Sequence, residues 1–404
     1  MNPASSIVLG YIGVHQMFQL ALAAHESGRL ERLHCSLVDA PGKWGRLIGG
    51  RLKASSLKPM GIEGLPPGLI SELPMPLLSR HIAKIWRHLG PDDYHHSNQW
   101  FDRTLARRLS FSSASLFVGT ETCALESLRA ARRAGMVRLL DCPGIPAELL
   151  GFELAHACDS LDLPPCASRV SERTVERRRL EMAEADVVNL CSDVQFQYYQ
   201  SAGFPVEKMR VNSLWVDPIF AKVPMREGCE ADSGPLRVLF VGNATIAKGA
   251  PFALKAAQLL GADVRLTLCG GIDEQVRNWA GTRLGEHQLL GWCSREALAG
   301  VYQRHDVLLF PTLGDSFGFV AVEAMACGLP VITTSNAGVP VPDESWKVPP
   351  RDSNALAAAI ARYANDRSLL RRDSARARAF AQQFTPENYR GRIRVLFDEL
   401  LSRK

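Results

Sequence analysis

The run GDSFGFVAVEAMACGLPVITT at 314–334 carries residue types suited to binding an anion and a sugar. It joins an apolar stretch to a helical pattern, where Gly314 and Gly318 permit close backbone approach and free N–H groups would face a diphosphate. Glu323, one to two turns into the helix, could accept hydrogen bonds from sugar hydroxyls while Asp315 reaches in from the loop. The alternative is that Asp315 only caps the helix and Glu323 is a solvated acid.

A second loop of the same kind is VGNATIAKG at 241–249, which also follows an apolar stretch and precedes a helical pattern. Lys248 could place its cation against phosphates, and Gly249 would allow the turn. A solvated lysine is the alternative. Two such loops in one half of the chain favour a phosphate-binding site.

The amino-terminal loop GYIGVHQ at 10–16 follows the first apolar stretch. Gly13 would let the backbone approach a ligand, and His15 could donate to a phosphate or move a proton. A histidine that caps a helix or packs in the core is the alternative.

Short apolar runs alternate with helical patterns along the chain, which predicts parallel sheets covered by helices. Clustered Pro, Gly and charged residues at 218–235 predict a linker between two Rossmann-like domains at 1–217 and 236–385. A last helix at 386–404 follows and could pack back on the first domain. The cleft between the domains is then the expected site. The predicted strands lie at 6–12, 33–38, 115–120, 137–141, 186–190, 236–242, 264–270, 306–312 and 330–334.

Composition narrows the class of protein. The chain has 404 residues with 46% hydrophobic and 22% charged residues, values typical of a folded protein of two or three domains. The net charge of +5 is too small to indicate nucleic-acid binding. None of the ten cysteines forms a C-x-x-C pair, so we expect no zinc. Lacking a signal-peptide pattern or 18 consecutive apolar residues, the sequence predicts a cytoplasmic protein.

The chain resembles the retaining glycosyltransferases of family 4. The resemblance rests on VGNATIAKG, SREALAGVYQRHDVLLFPT, DSFGFVAVEAMACGLPVITT, NAGVP and VPPRDSNALAAAI, all in the second half. It is looser before residue 180, although 181–220 resembles the stretch that ends the family's first domain. It implies a GT-B architecture, in which two Rossmann-like domains face each other across a cleft. It also implies a nucleotide-diphosphate sugar as co-substrate and a glycan, lipid-linked or small-molecule acceptor, with no metal.

The resemblance also implies roles for residues. Lys248 matches the basic residue on the donor phosphates, and Glu323 matches the acid that holds the ribose. Asp315 stands beside the donor sugar where the family usually has Glu, and Asn243 stands where the family usually has Arg. The candidate catalytic residues are Asp315, Lys248 and His15. The candidate donor-binding residues are Gly13, Asn243, Lys248, Asp315, Ser316, Phe317, Gly318, Phe319 and Glu323.

These departures, and the lack of a histidine after the strand at 137–141, leave two alternatives open. One is an inert nucleotide-sugar-binding protein, and the other is an epimerase or phosphorylase of similar architecture. A missing protein base does not exclude transfer, since the leaving phosphate can take the acceptor's proton.

Two stretches mix basic and apolar residues. The run at 41–62 has five Lys or Arg and no acid, and RHIAKIWRHL at 80–89 repeats the mixture. Such stretches could make peripheral contact with an anionic membrane at its inner face. A solvated loop and a packed helix are the alternative. The run at 176–180, by contrast, predicts an exposed helical face.

Overall fold

The computed structural model describes residues 5–12, 17–49, 63–74, 91–165, 170–224 and 234–402. It contains two sheets, and every strand pairing in both is parallel. The predicted fold class of two parallel-sheet α/β domains is confirmed. The strands of the first sheet are β1 Ile7–Tyr11, β2 Leu30–Cys35, β3 Ile70–Glu72, β4 Leu116–Thr120, β5 Val137–Cys142, β6 Val187–Leu190 and β7 Met209–Val211.

The second sheet is built in the same way from the other half of the chain. Three of its central strands are apolar and almost entirely buried, as expected for strands covered on both faces. The strands of this sheet are β8 Leu236–Val241, β9 Val264–Cys269, β10 Gln288–Gly291, β11 Val307–Phe310, β12 Val331–Thr334 and β13 Lys347–Val348.

Helices connect the strands and cover the sheets. Those of the first half are α1 Met17–Glu26, α2 Trp44–Gly49, α3 Pro91–Leu109, α4 Leu125–Arg133, α5 Ala147–Ser160, α6 Glu172–Glu184, α7 Asp193–Ser201 and α8 Pro218–Ala221. Those of the second half are α9 Ala250–Leu260, α10 Glu274–Ala280, α11 Arg295–Gln303, α12 Phe319–Ala326, α13 Ser353–Asn365, α14 Arg367–Ala381 and α15 Pro386–Leu401.

The strand order positions the ligand-binding edge of each sheet. The first sheet has the order β3-β2-β1-β4-β5-β6-β7 and the second has β10-β9-β8-β11-β12-β13. Each order reverses direction between two central strands, β1 and β4 in one sheet and β8 and β11 in the other. Open α/β sheets bind ligands at this switch point, beyond the carboxyl ends of the strands.

Seven Gly and six Pro within residues 41–76 predict a long irregular insertion, but the described part of this segment contains α2 and β3. The carboxylate of Glu72 explains this order, because it accepts the N–H groups of Val38 (2.9 Å), Trp44 (2.6 Å) and Gly45 (3.0 Å). Residues 50–62 and 75–76 lie outside the described residues. The predicted strand at 33–38 also begins earlier, at Leu30, which is fully buried.

The final helix α15 packs against α1 of the first domain. Its Tyr389, Ile393 and Phe397 are fully buried. Arg394 contacts Glu26 of α1 at 2.5 Å, on the exposed side of this packing. The exact domain limits at 217, 235 and 385 stay a prediction.

In the parts of the chain that the structure describes, no helix combines the length and apolarity that a membrane span requires.

Candidate functional site

The two loops singled out from the sequence both lie at the switch point of the second sheet. The loop with Lys248 follows β8, and the loop with Asp315 follows β11, its neighbour in the sheet. A backbone hydrogen bond of 2.9 Å from Leu313 N–H to the carbonyl of Ala247 joins them. The fold therefore brings the two predicted loops into one site. We call 312–318 the donor loop.

Asp315 is the centre of this site. Its Oδ1 accepts the N–H groups of Phe317 (3.1 Å) and Gly318 (2.7 Å), and its Oδ2 forms an ion pair with the ammonium of Lys248. The Asp315 side chain is 18% exposed and that of Lys248 is 39% exposed. One oxygen of Asp315 therefore caps the loop, as the alternative predicted, while the other pairs with the cation, and its contact with a sugar stays a prediction.

Two glycines allow this close packing. Gly318 has a φ of +72°, and a Cβ on it would lie 2.8 Å from Cε1 of Phe310. Gly249 has a φ of +73°, and a Cβ there would lie 1.8 Å from the carbonyl oxygen of Pro311. A side chain at Gly249 would therefore push the two loops apart, and one at Gly318 would clash with Phe310 of β11.

Glu323 lies half-buried on α12, one turn behind the donor loop. The buried Tyr302 of α11 donates its hydroxyl proton to Oε2 of Glu323 at 3.0 Å and also lies 3.2 Å from the carbonyl of Val320. Burial raises the pKa of Glu323 to about 7, and the hydrogen bond from Tyr302 opposes part of that rise. Glu323 is therefore a half-buried carboxyl group that accepts a hydrogen bond from Tyr302, rather than a solvated acid.

Tyr302 was missed by the sequence analysis. Its helix lies before β11, 21 positions from Glu323, and no local pattern indicates that the two meet. Only the packing of α11 beside α12 brings them into contact.

The remaining candidates of the second domain have different environments. The ring of Phe317 is buried, 5.1 Å from the ring of Phe319 between centroids, so Phe317 can face a ligand only through its backbone. Asn243 is exposed, and its Oδ1 would lie 2.6 Å from a Cβ on Gly271. Ser316 turns its carbonyl towards the first domain.

The first domain touches the donor loop directly. The thiol of Cys191, just after β6, donates to the carbonyl of Ser316 at 3.4 Å. A Cβ on Gly338 would lie 2.4 Å from Oγ of Ser192, and one on Gly314 would lie 3.5 Å from Cγ1 of Ile145. The two domains therefore meet at the donor loop itself.

Buried side chains fix these first-domain turns. Gln195 donates to the carbonyls of Cys142 (2.9 Å) and Gly144 (2.7 Å) and accepts the N–H of Cys191 at 2.8 Å. Glu121 accepts the Gly144 N–H at 2.6 Å and pairs with Arg178 at 2.7 Å. The turns after β5 and β6 are thus held as one unit against the donor loop.

The run at 176–180 is only partly the exposed face predicted from its charges, since Glu176 and Arg179 are exposed but Arg177 is not. Arg177 is 5% exposed and pairs with two fully buried carboxylates, Asp102 and Glu181. Glu181 accepts the N–H groups of Ala124 (2.9 Å) and Thr122, which fixes the turn after β4. Asp102 on α3, which the local sequence does not indicate, and Glu181 one turn further along α6 hold the arginine in the buried position.

Helix α5 belongs to the first domain by chain order but packs into the core of the second. Its Ala157 and Cys158 are buried in a cluster with strands β8, β9 and β11. Arg351 also pairs with Glu153 of α5 at 2.7 Å. This helix therefore joins the two domains beside the site.

Gly13 and His15 lie outside the described residues, as do 50–62 and 80–89 of the two basic stretches. Among the residues with a described position, no group of three or more His, Cys, Asp or Glu converges to hold a metal ion.

Residues 235–366, about a third of the chain, match the family model described as glycosyl transferases group 1. A curated relative, the amylovoran biosynthesis glycosyltransferase AmsK of Erwinia amylovora, is 29% identical over 177 residues, covering 40% of this chain and 43% of the relative. The chain thus spans less than half the length of this relative.

The whole fold is similar to solved structures. Sucrose-phosphate synthase from Thermosynechococcus elongatus has a TM-score of 0.67 at 19% identity, covering 99% of this chain and 100% of that one. The Anabaena protein HepE in complex with UDP has a TM-score of 0.63 at 15% identity, covering 98% and 100%. At these identities the similarity concerns the fold alone. Together, the matched segment and the two facing parallel-sheet domains support a glycosyltransferase of group 1 with the GT-B fold.

Proposed function

We propose that this chain is a retaining hexosyltransferase that moves a sugar from a nucleotide diphosphate to a glycan, lipid-linked or small-molecule acceptor. The observation that carries the proposal is the meeting of Lys248 and Asp315 at the switch point of the second sheet, with Glu323 one turn behind them. A cation, a sugar-facing acid and a buried acceptor for ribose hydroxyls are the groups that an activated sugar needs.

In the proposed reaction, the bond between the anomeric carbon and the diphosphate breaks, and the acceptor oxygen attacks that carbon on the same face. The leaving diphosphate takes the acceptor's proton. Lys248 and the start of α12 stabilise the charge that develops on the diphosphate. Asn243 adds no charge there, so Lys248 carries more of this role. Most of the rate comes from positioning and electrostatics, with no metal or protein base assigned.

Uridine is the first base to test. The HepE structure is a complex with UDP, and its fold matches along nearly the whole chain. The AmsK relative is named for the biosynthesis of amylovoran, which favours a glycan among the acceptor classes.

Incubation with UDP-, GDP- and ADP-sugars plus glycan acceptors tests the function. We expect nucleotide release that depends on acceptor, and a product whose anomeric configuration, read from NMR couplings, is that of the donor. Binding without any release would favour the inert nucleotide-sugar-binding protein. Release with inversion, or isomerised donor without transfer, would contradict the proposal.

Lys248→Ala tests the phosphate contact. We expect the affinity for UDP to fall about tenfold or more, because a charge-assisted hydrogen bond is lost, while the affinity for uridine stays unchanged. Lys255→Ala is the control, since this lysine of α9 lies against the ring of Trp279 on α10 and not at the donor loop. Isothermal titration calorimetry measures both. Unchanged UDP affinity in a folded Lys248→Ala chain would show that the cation comes from elsewhere.

The raised pKa of Glu323 predicts that donor binding depends on pH. Because its pKa is raised to about 7, the carboxylate that accepts from the ribose forms only as the pH rises through that value. The affinity for UDP-glucose should therefore fall by up to about tenfold per pH unit below 7 and stay level above it. Glu323→Gln should bind more weakly, without this dependence.

Tyr302→Phe sharpens the same test. The lost hydrogen bond stabilised the charged form of Glu323, so the midpoint of the pH profile should move upwards. A midpoint that stays in place in Tyr302→Phe, or a profile that persists in Glu323→Gln, would assign the titration to another group.

For the acceptor side, we propose a cytoplasmic protein that contacts the anionic inner face of a membrane. On α2, Trp44 is 60% exposed and Leu47 is 66% exposed beside the exposed Arg46. Trp44→Ala should reduce sedimentation with phosphatidylglycerol vesicles at least twofold, and Trp100→Ala, a half-exposed tryptophan of α3, should not. Equal sedimentation with phosphatidylglycerol and phosphatidylcholine vesicles would contradict this contact.

A further inference from the structure

A cavity of about 350 Å³ lies in the first domain between α6, α7 and the start of α5. Its volume falls within the range of roughly 300–1,000 Å³ typical of small-molecule sites. No residue of the donor loop lines it. The lining groups that matter are Glu148, Arg178, Met182, Tyr198, Tyr199 and Phe204.

Three aromatic rings form one side of this cavity. The rings of Tyr198 and Tyr199 meet edge to face with centroids 5.5 Å apart, and Tyr199 and Phe204 lie 6.4 Å apart. Both tyrosines are only half-buried, so their ring surfaces and hydroxyl groups are accessible from the cavity. Ring faces of this kind pack against the C–H face of a sugar, and the tyrosine hydroxyls can hydrogen-bond its substituents.

Polar groups complete the lining. Nε of Arg178 is buried and has no hydrogen-bond partner among the described residues. The carboxylate of Glu148 lies close enough to Tyr198 to add, after burial, to the rise in its pKa, and it adds, after burial, Cys142 and Glu121, to the raised pKa of Tyr199. A carboxylate acceptor therefore stands beside aromatic surface, in a cavity that Arg178 also lines.

This combination selects between two kinds of occupant. A hydrocarbon chain would cover Glu148 and Arg178 without pairing them, which costs free energy for every polar group removed from water. A hydroxylated ring would pair with both groups while its apolar face packs on the tyrosines. The lining holds one acid and two arginines, and since Arg178 and Arg179 already pair with Glu121 and Glu176, neither cation is free to favour an anionic ligand.

We propose that this cavity is a pyranose-binding site, separate from the donor site, which takes a neutral sugar unit of a glycan. The site lies behind the turn that touches the donor loop. Nη1 of Arg178 donates to the carbonyl of Ile145 at 3.2 Å, and Ile145 is the residue that faces Gly314. A glycan held here would thus be anchored on the first domain, next to the frame that supports the donor loop.

Saturation-transfer NMR with the full chain tests the site, using methyl α-glucopyranoside, methyl α-mannopyranoside and maltose as probes. Saturating UDP is present throughout, so that the nucleotide site is occupied. We expect at least one probe to bind, and Tyr198→Ala and Glu148→Gln each to weaken it about fivefold or more. Phe111→Ala, which removes a 92% exposed ring of the same domain, is the matched control and should bind as the wild type does.

The opposite results overturn the proposal. They are the absence of binding by every probe, equal binding in wild type and Tyr198→Ala, or displacement of the bound probe by geraniol, which would identify a hydrocarbon site. Circular dichroism verifies that the variants are folded. Because the readout is binding alone, its failure leaves the proposed transfer reaction intact, and loss of transfer leaves this site intact.

Discussion

The site depends on the carboxylate of Asp315. One oxygen holds the amides of Phe317 and Gly318, and the other holds the ammonium of Lys248, so a single side chain ties the loop after β11 to the loop after β8. A diphosphate that enters must share Lys248 with this acid or replace it. The shorter aspartate fits this role, because a carboxylate close to its own backbone reaches the amides two and three positions further on and still faces the cation.

The second constraint is the contact between domains. Gln195 and Glu121 hold the turns after β5 and β6 in place, and these turns press on Gly314 and Gly338. Helix α5 enlarges the contact between the domains, because its Ala157 and Cys158 pack into the core of the second domain. In the proposed reaction, the same contact aligns an acceptor on the first domain with the sugar on the second. Movement of α5 would therefore accompany any opening of the cleft.

The central strands and the two loops of the candidate site could be predicted from the sequence, because these strands are continuous apolar runs and glycines mark the loops that follow them. The edge strands β3, β7, β10 and β13 were missed, since two to four residues carry too little periodicity. The Lys248–Asp315 pair was proposed as two contacts to one ligand, and the sequence could not indicate that they meet each other. Tyr302 and Arg177 depend on acids supplied by distant segments, which only the tertiary packing reveals.

A crystal structure of the chain with UDP tests the account most directly. We expect the diphosphate to lie at the start of α12, within hydrogen-bond distance of Nζ of Lys248. We expect the ribose hydroxyls to lie within the same distance of the Glu323 carboxylate. A diphosphate bound elsewhere, with the ion pair between Lys248 and Asp315 unchanged and Glu323 bonded only to Tyr302, would contradict it.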